Sequence, residues 1–417
     1  MDNIYIINNE KFKSIYFSIN FTSNANKKEM SENAVLASIL SKSCEKYKTE
    51  KEIQEYLYSL YGSNFNIGVE KFGDLYNIEF RGECINKNYL PEKTDVVNDV
   101  LEFMYNIIFK PDLKDGSFNQ EIVNREKENI INKIKEIKDD KLRFGIRKME
   151  ELMCKDEPFA TSVYGDEEEV GEITNKDLVD RYKKLLNDSC VTVVISGNLK
   201  GYDDIKDRVS SIFSNKLKSY IEYKEFNYNI KKEHQKEVVE EKLDTTQSIL
   251  AYGLRLKDIT MEDFYVLNVY NAILGGTPSS KLFQNFRERE SLAYTVRSRY
   301  YRYKDMIIIY AGIEKENYEK AKKVLEKQIT DIKLGDISDE EFNASKQSII
   351  SDLKEWNDSK IALSKMYISN MFATKTNTVT LDEMIERVNK VKKEDVINIA
   401  KKVEIEKIFF LGGELSA

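Results

Sequence analysis

Two apolar periods alternate along this chain. Ile4 and Ile6, then Ile15, Phe17, Ile19 and Phe21, keep period two and predict two strands across residues 3–22, joined by a turn at Asn8 and Asn9. The period then lengthens. Ser31 with Glu32 predicts the opening of an apolar helix over Ala34–Leu40. Thr49 opens a second helix with Ile53, Tyr56, Leu57 and Leu60 on one face, ended by Tyr61 and Gly62. The segments SNFNIGVEKF and LYNIEFRGEC read as strands, and apolar positions 97, 101, 104, 107 and 108 predict a helix that Pro111 stops. From Gln120 to about Met153 a charged run, poor in Gly and Pro, places Ile122, Ile130, Ile134 and Ile137 at helical spacing and predicts a long amphipathic helix with a solvated charged face. A capping signal at Thr174 opens a further helix, and VTVVISGNL reads as a buried strand.

The same order returns in the second half. ITNKDLVDRYKKLLNDSCVTVVISGNL answers VNKVKKEDVINIAKKVEIEKIFFLGGEL, with Asp177 matching Asp395 at an offset of 218 and Gly197 matching Gly413 at an offset of 216. Nearer the front of each half, YFSINF answers SILAYG, and the helix near Glu32 answers MEDFYVLNVYNAIL. Offsets held between 216 and 232 over such separated landmarks are what an internal duplication leaves. The expected fold class is α+β: two homologous α/β domains, each a mostly antiparallel sheet packed with helices. The expected domains are 1–220 and 237–417, joined by a polar, Tyr-rich linker over 221–236.

Composition narrows the function classes. The 417 residues exceed what one core supports, and 41% hydrophobic content with 25 Tyr and 20 Phe is ample for two. Lys and Arg number 65 against 72 Asp and Glu, a net charge of -7 with the signs interleaved, so no basic stripe marks a nucleic-acid partner. No apolar run approaches the ~18 residues of a membrane span, and the N-terminus lacks the features of a secretion signal. Cys44, Cys84, Cys154 and Cys190 stand 40, 70 and 36 positions apart, with no CxxC, and read as buried thiols in a reducing, cytoplasmic setting. One histidine is present, His234, among charged residues that mark it as a surface position. Chemistry that draws on imidazole is thereby starved of its usual group. The like-charge runs Asp139–Asp140 and Glu167–Glu169 read as solvated faces, not as paired catalytic carboxylates.

One stretch concentrates the remaining chemistry. Leu274–Tyr300, LGGTPSSKLFQNFRERESLAYTVRSRY, joins Gly275, Gly276 and Pro278 to a short helical run and to Arg287 and Tyr294, seven residues apart. Arg supplies a fork of donors and Tyr a hydroxyl, a pair suited to a peptide carbonyl or an oxyanion; the plain alternative is a surface Arg and a core Tyr. With the duplicated architecture, this stretch resembles the pitrilysin/insulinase family of zinc peptidases, whose signature is His-x-x-Glu-His, over essentially the whole chain. The resemblance implies that Arg287 and Tyr294, with Gly275 and Gly276, bind substrate. It sets the five signature positions on Ala34, Val35, Leu36, Ala37 and Ser38, so both histidine ligands and the general-base glutamate are replaced. It also aligns Glu126 with the family's upstream glutamate and Lys133 with the third ligand, where a cation repels zinc.

A hydrolytic zinc needs about three protein ligands and a base, so no catalytic residue, metal or other cofactor is expected. The phrases NREKENIINKI, DDKLRFG and NFRERESLAY resemble the family's non-catalytic members from Gram-positive bacteria. The resemblance implies a substrate-binding, chamber-closing subunit that forms a heterodimer with an active, zinc-bearing homologue. It further implies a peptide or unfolded protein as substrate and an association with modification of translation elongation factor P. The alternative is a structural scaffold or peptide-binding protein with no role in proteolysis.

Overall fold

A computed structural model of the protein describes residues 3–213, 236–242, 247–374 and 379–412. Its strands are β1 (Ile4–Asn8), β2 (Ser14–Asn24), β3 (Asn64–Phe72), β4 (Leu75–Ile85), β5 (Leu113–Lys114), β6 (Ser117–Phe118), β7 (Cys190–Gly197), β8 (Glu237–Lys242), β9 (Ser248–Leu256), β10 (Ala293–Tyr301), β11 (Met306–Ile313) and β12 (Val403–Gly412). Two five-stranded sheets carry the fold, in the orders β1-β7-β2-β4-β3 and β8-β12-β9-β11-β10, beside the small β5-β6 hairpin. The first pair of each sheet, β1 with β7 and β8 with β12, is parallel, and every other pairing is antiparallel. Identical order and identical pairing sense in the two sheets are the duplication made visible.

Several elements differ from their expected form. β1 and β2 are both strands, but they do not pair with each other, because β7 lies between them: Ile4 opposes Val193 on one side of β7 and Ile15 opposes Gly197 on the other. The first helix begins at Lys27, ahead of Ser31, because the Asn26 side chain caps it by accepting from the Lys28 N–H at 3.2 Å. The charged run after Gln120 is two helices, Gln120–Asp139 and Lys141–Met153. Asp140 takes an extended backbone and accepts from the N–H groups of Leu142 and Arg143, both at 3.1 Å, so it caps a new helix where a continuous one was expected. Glu167–Glu169 form the first turn of a short helix capped by Asp166, where negative charge suits the helix dipole.

The described chain gathers into two compact units that do not follow its sequence halves. One unit takes in Ser359–Ser369 from the second half, and the other takes in Ile137–Ala160 from the first. The expected linker, His234 and Gly413 lie outside the described residues, except for Lys236 at the linker's end.

In the first unit, Ile15, Phe17, Ile19 and Phe21 of β2 point into the main core, while Ser18, Asn20 and Glu79 on the opposite face are also fully buried. That polar face is paid for by hydrogen bonds: Glu79 accepts from Ser18 Oγ at 2.6 Å, Tyr16 Oη at 3.1 Å and Arg81 Nε at 2.7 Å. The segment Ser359–Ser369 attaches to this face through Lys360, whose Nζ lies 3.0 Å from Glu83 and 2.8 Å from Ser14 Oγ, and through Lys365, 3.5 Å from Glu70.

In the second unit the corresponding face is apolar. Helix Lys141–Met153 packs across β9, β11 and β12, with Met149 and Met153 in one cluster with Ile249, Ile308 and Phe409. Gly145 makes that approach possible, since a Cβ there would lie 2.6 Å from Ile249 Cγ2. Arg255 fastens the end of the helix by donating to the Met153 carbonyl at 2.7 Å while pairing with Glu406 at 2.7 Å. All four cysteines are buried and none of them forms a disulfide. Among the described residues no helix is long and apolar enough to cross a membrane.

Candidate functional site

Helix Lys27–Leu40 presents the five signature positions. Ala34, Val35, Leu36 and Ala37 are buried, and Ser38 is half-buried. Ser38 Oγ donates to Glu126 Oε2 at 2.7 Å, Asn129 Nδ2 donates to the same oxygen at 3.0 Å, and Arg125 Nε donates to Oε1 at 2.9 Å. Burial by itself would push the Glu126 carboxyl up, but these three hydrogen bonds outweigh it and hold the group below the ordinary carboxylate range. Arg125 reaches on to Glu50 at 2.7 Å, and Glu50 to Lys42 at 3.1 Å.

Lys133 is exposed two turns along the same helix, about 10 Å from Glu126, with its ammonium 5.6 Å over the Tyr164 ring. The fold therefore brings Glu126 to Ser38 and sets Lys133 over Tyr164. The donor set is one hydroxyl and one carboxylate already committed to three donors, which does not fit a zinc ion requiring about three free ligands. Among the described residues, no group of three His, Cys, Asp or Glu is placed to hold a metal. Nor does Ser38 with Glu126 make a nucleophile and base, because a carboxylate with a lowered pKa is too weak to take a hydroxyl proton.

The stretch from Leu274 is built on two π-helical runs, Ala272–Gly276 and Leu282–Arg289, a geometry that recurs at functional sites. Side-chain hydroxyls serve two of the carbonyls here: Thr277 Oγ1 donates to Ala272 O at 3.1 Å and Ser298 Oγ to Asn271 O at 3.2 Å. Space dictates both glycines. A Cβ on Gly275 would lie 2.9 Å from Leu282 Cδ1 and 3.0 Å from Ser298 N, and one on Gly276 would lie 3.0 Å from Asn271 O. They let the π-helical turn press against β10.

Leu282 and Phe286 anchor the second run in the core and leave Arg287 half-exposed, its guanidinium 4.5 Å from the Phe283 ring centroid and 3.7 Å from the Glu288 carboxylate. Tyr294 is 75% exposed, so it is no core tyrosine. Its neighbours two and four residues on, Val296 and Ser298, are buried. The cause is a bulge: the pairing of β10 with β11 shifts register between Ala293 and Thr295, and Tyr294 is the extra residue turned outward. Sequence reasoning missed this bulge. It also missed Arg297 and Arg299, exposed on the same strand, although the alternation T-V-R-S-R was there to be read.

A duplicated α/β fold, with neither His nor Glu at Ala34–Ser38 and with Tyr294 turned outward in its second half, is an arrangement expected of a peptidase-like protein. Comparison with known proteins agrees. The family profile described as the peptidase M16 inactive domain matches residues 172–349. The chain is 27% identical over 410 residues to the "Probable inactive metalloprotease YmfF" of Bacillus subtilis, covering 98% of this chain and 95% of that one. It is 31% identical over 178 residues, 42% of each chain, to the "Uncharacterized zinc protease YmxG" of the same organism. Among solved structures, a conserved protein from Enterococcus faecalis superposes with a TM-score of 0.88 at 26% identity, covering 99% of this chain and 97% of that one. The chain is thus similar over most of its length to a probable inactive metalloprotease, and over residues 172–349 to the peptidase M16 inactive domain.

Proposed function

We propose that the protein is the substrate-holding subunit of a heterodimer, paired in the cytoplasm with a zinc-bearing homologue that cuts the peptide it holds. The observation that carries this reading is the outward turn of Tyr294 at a bulge seven residues after Arg287, in a chain with neither His nor Glu at Ala34–Ser38. Exposing a large aromatic costs burial energy, and a bulge that re-aims one is a feature expected next to a binding site. Arg287 keeps its donors within reach of a ligand, since its nearest carboxylate, Glu288, is 3.7 Å away. Four buried cysteines, none of them in a disulfide, suit a reducing compartment.

Co-expression with the zinc-bearing homologue tests the reading. The two chains should co-purify, peptide cleavage should rise at least tenfold over the homologue alone, and Arg287→Ala with Tyr294→Phe should remove most of that gain while leaving the melting temperature unchanged. Equal cleavage with and without the protein, or no association, defeats the proposal. The reading extends to modification of translation elongation factor P, for which the double variant in cells should alter that factor's intact mass. An unchanged mass removes this extension.

A further inference from the structure

Among the described residues, strand β10 is the last strand of its sheet, with β11 as its only strand neighbour. One face of it is closed: Val296 and Ser298 are buried, and the π-helical runs pack on this side. The other face is open at the strand's middle. Arg297 and Arg299 project there, both exposed, opposite Tyr310 and Ile308 of β11 and so opposite no carboxylate. Arg299 lies 5.0 Å from the Tyr301 ring centroid, and neither arginine makes an ion pair among the described residues. Glu150 of the helix Lys141–Met153 acts on Tyr301 from this side but is paired with Arg147 at 2.9 Å, so the two same-face guanidiniums of β10 keep no carboxylate partner of their own. The helix Lys141–Met153, which covers this face of the sheet, packs on β9, β11 and β12.

We infer that the free edge of β10 receives an extended acidic peptide as an added strand, with carboxylates two residues apart meeting Arg297 and Arg299. This inference rests on the proposed substrate-holding role and names the class of substrate. An added strand pairs main chain to main chain, so affinity is general and the side chains on one face set the choice. Residues i and i+2 of a strand share a face, so the spacing of Arg297 and Arg299 asks for the pattern acidic-x-acidic in the incoming segment. The bulged Tyr294 stands at the start of the same strand, with Arg287 in the π-helical run that precedes it, and would meet the continuation of that peptide. The competing account is that the arginines and the bulge merely guard an edge against self-association.

Fluorescence anisotropy on the full chain separates these accounts, using dye-labelled octapeptides rich in Thr and Val that carry Glu-x-Glu, Gln-x-Gln or Lys-x-Lys. The Glu peptide should bind about tenfold tighter than the Gln peptide at low salt and lose most of that margin by about 0.3 M salt. Arg297→Glu with Arg299→Glu should bring the Glu peptide to or below the Gln peptide and raise the Lys peptide. Equal binding of Glu and Gln peptides, or Glu-peptide binding indifferent to the reversal, overturns the inference. Self-association of the Arg297→Gln, Arg299→Gln variant with unchanged peptide binding would assign the arginines to edge protection instead. Gln-peptide binding that depends on Arg287 and Tyr294 would leave the substrate-holding role standing while the acidic preference falls.

Discussion

At Glu126 three donors converge on one buried carboxylate, and that convergence decides both the chemistry and the stability of the old motif region. Asn129 and Arg125 hold the carboxylate from its own helix, and Ser38 ties helix Lys27–Leu40 to helix Gln120–Asp139 through it. Glu126→Gln keeps one acceptor but sets an amide donor against donors already in place, and it leaves Arg125 one partner short. A loss of ~1–3 kcal/mol is expected at neutral pH, measured by urea denaturation. Because the folded-state pKa lies below the unfolded value near ~4.3, the carboxylate's stabilisation is fully present above that value and disappears as pH falls through the folded pKa. The gap between wild type and variant should therefore narrow as pH falls below the unfolded value and close only below the folded one. A gap that persists in acid would show that the charge of Glu126 is not what stabilises.

Among the elements, the junction at Asp140 has the widest consequence. A continuous charged pattern from Gln120 to Met153 reads as one helix, yet the Asp140 side chain starts a second one, and the compact units divide near there, at Ile137. Asp140→Ala removes both cap hydrogen bonds and should cost ~1 kcal/mol. Amide exchange should quicken at Leu142 and Arg143 and leave the Glu126 region protected. Unchanged exchange at those two amides would mean that packing, not the cap, breaks the helix. The π-helical run Leu282–Arg289 is a second case where element and function meet: Leu282 and Phe286 lock it inward, and the side that remains carries Arg287.

Across the whole molecule, duplication and exchange act together. The two sheets share strand order and pairing sense, but each unit takes a segment from the other half of the sequence, and the faces that receive these segments differ. The first receives Ser359–Ser369 on a hydrogen-bonded polar face, and the second receives Lys141–Met153 on an apolar one. A chain cut to residues 1–213 would lose Lys360 and Lys365 from the polar face and leave Met149 and Met153 without their cluster. Such a half should aggregate or bind a hydrophobic dye and melt without cooperativity. A monomeric half with a sharp transition would show that the exchanged segments are dispensable for folding.

The elements themselves were legible because helix and strand periods, caps and turns are local: the period-two run in β2, the box at Thr174 and the repeated order all lie within a few residues or a constant offset. The residues at the five positions Ala34–Ser38 are local in the same sense, since no distant contact can supply a histidine that these positions lack. What only the tertiary structure decided depends on partners far along the chain. β7 enters between β1 and β2, Glu126 meets Ser38 across 88 residues, and segments pass between the halves. Register likewise belongs to pairs of strands. A one-residue slip against β11 turns Tyr294 out to solvent, and an edge position leaves Arg297 and Arg299 open, neither of which a single strand's pattern contains.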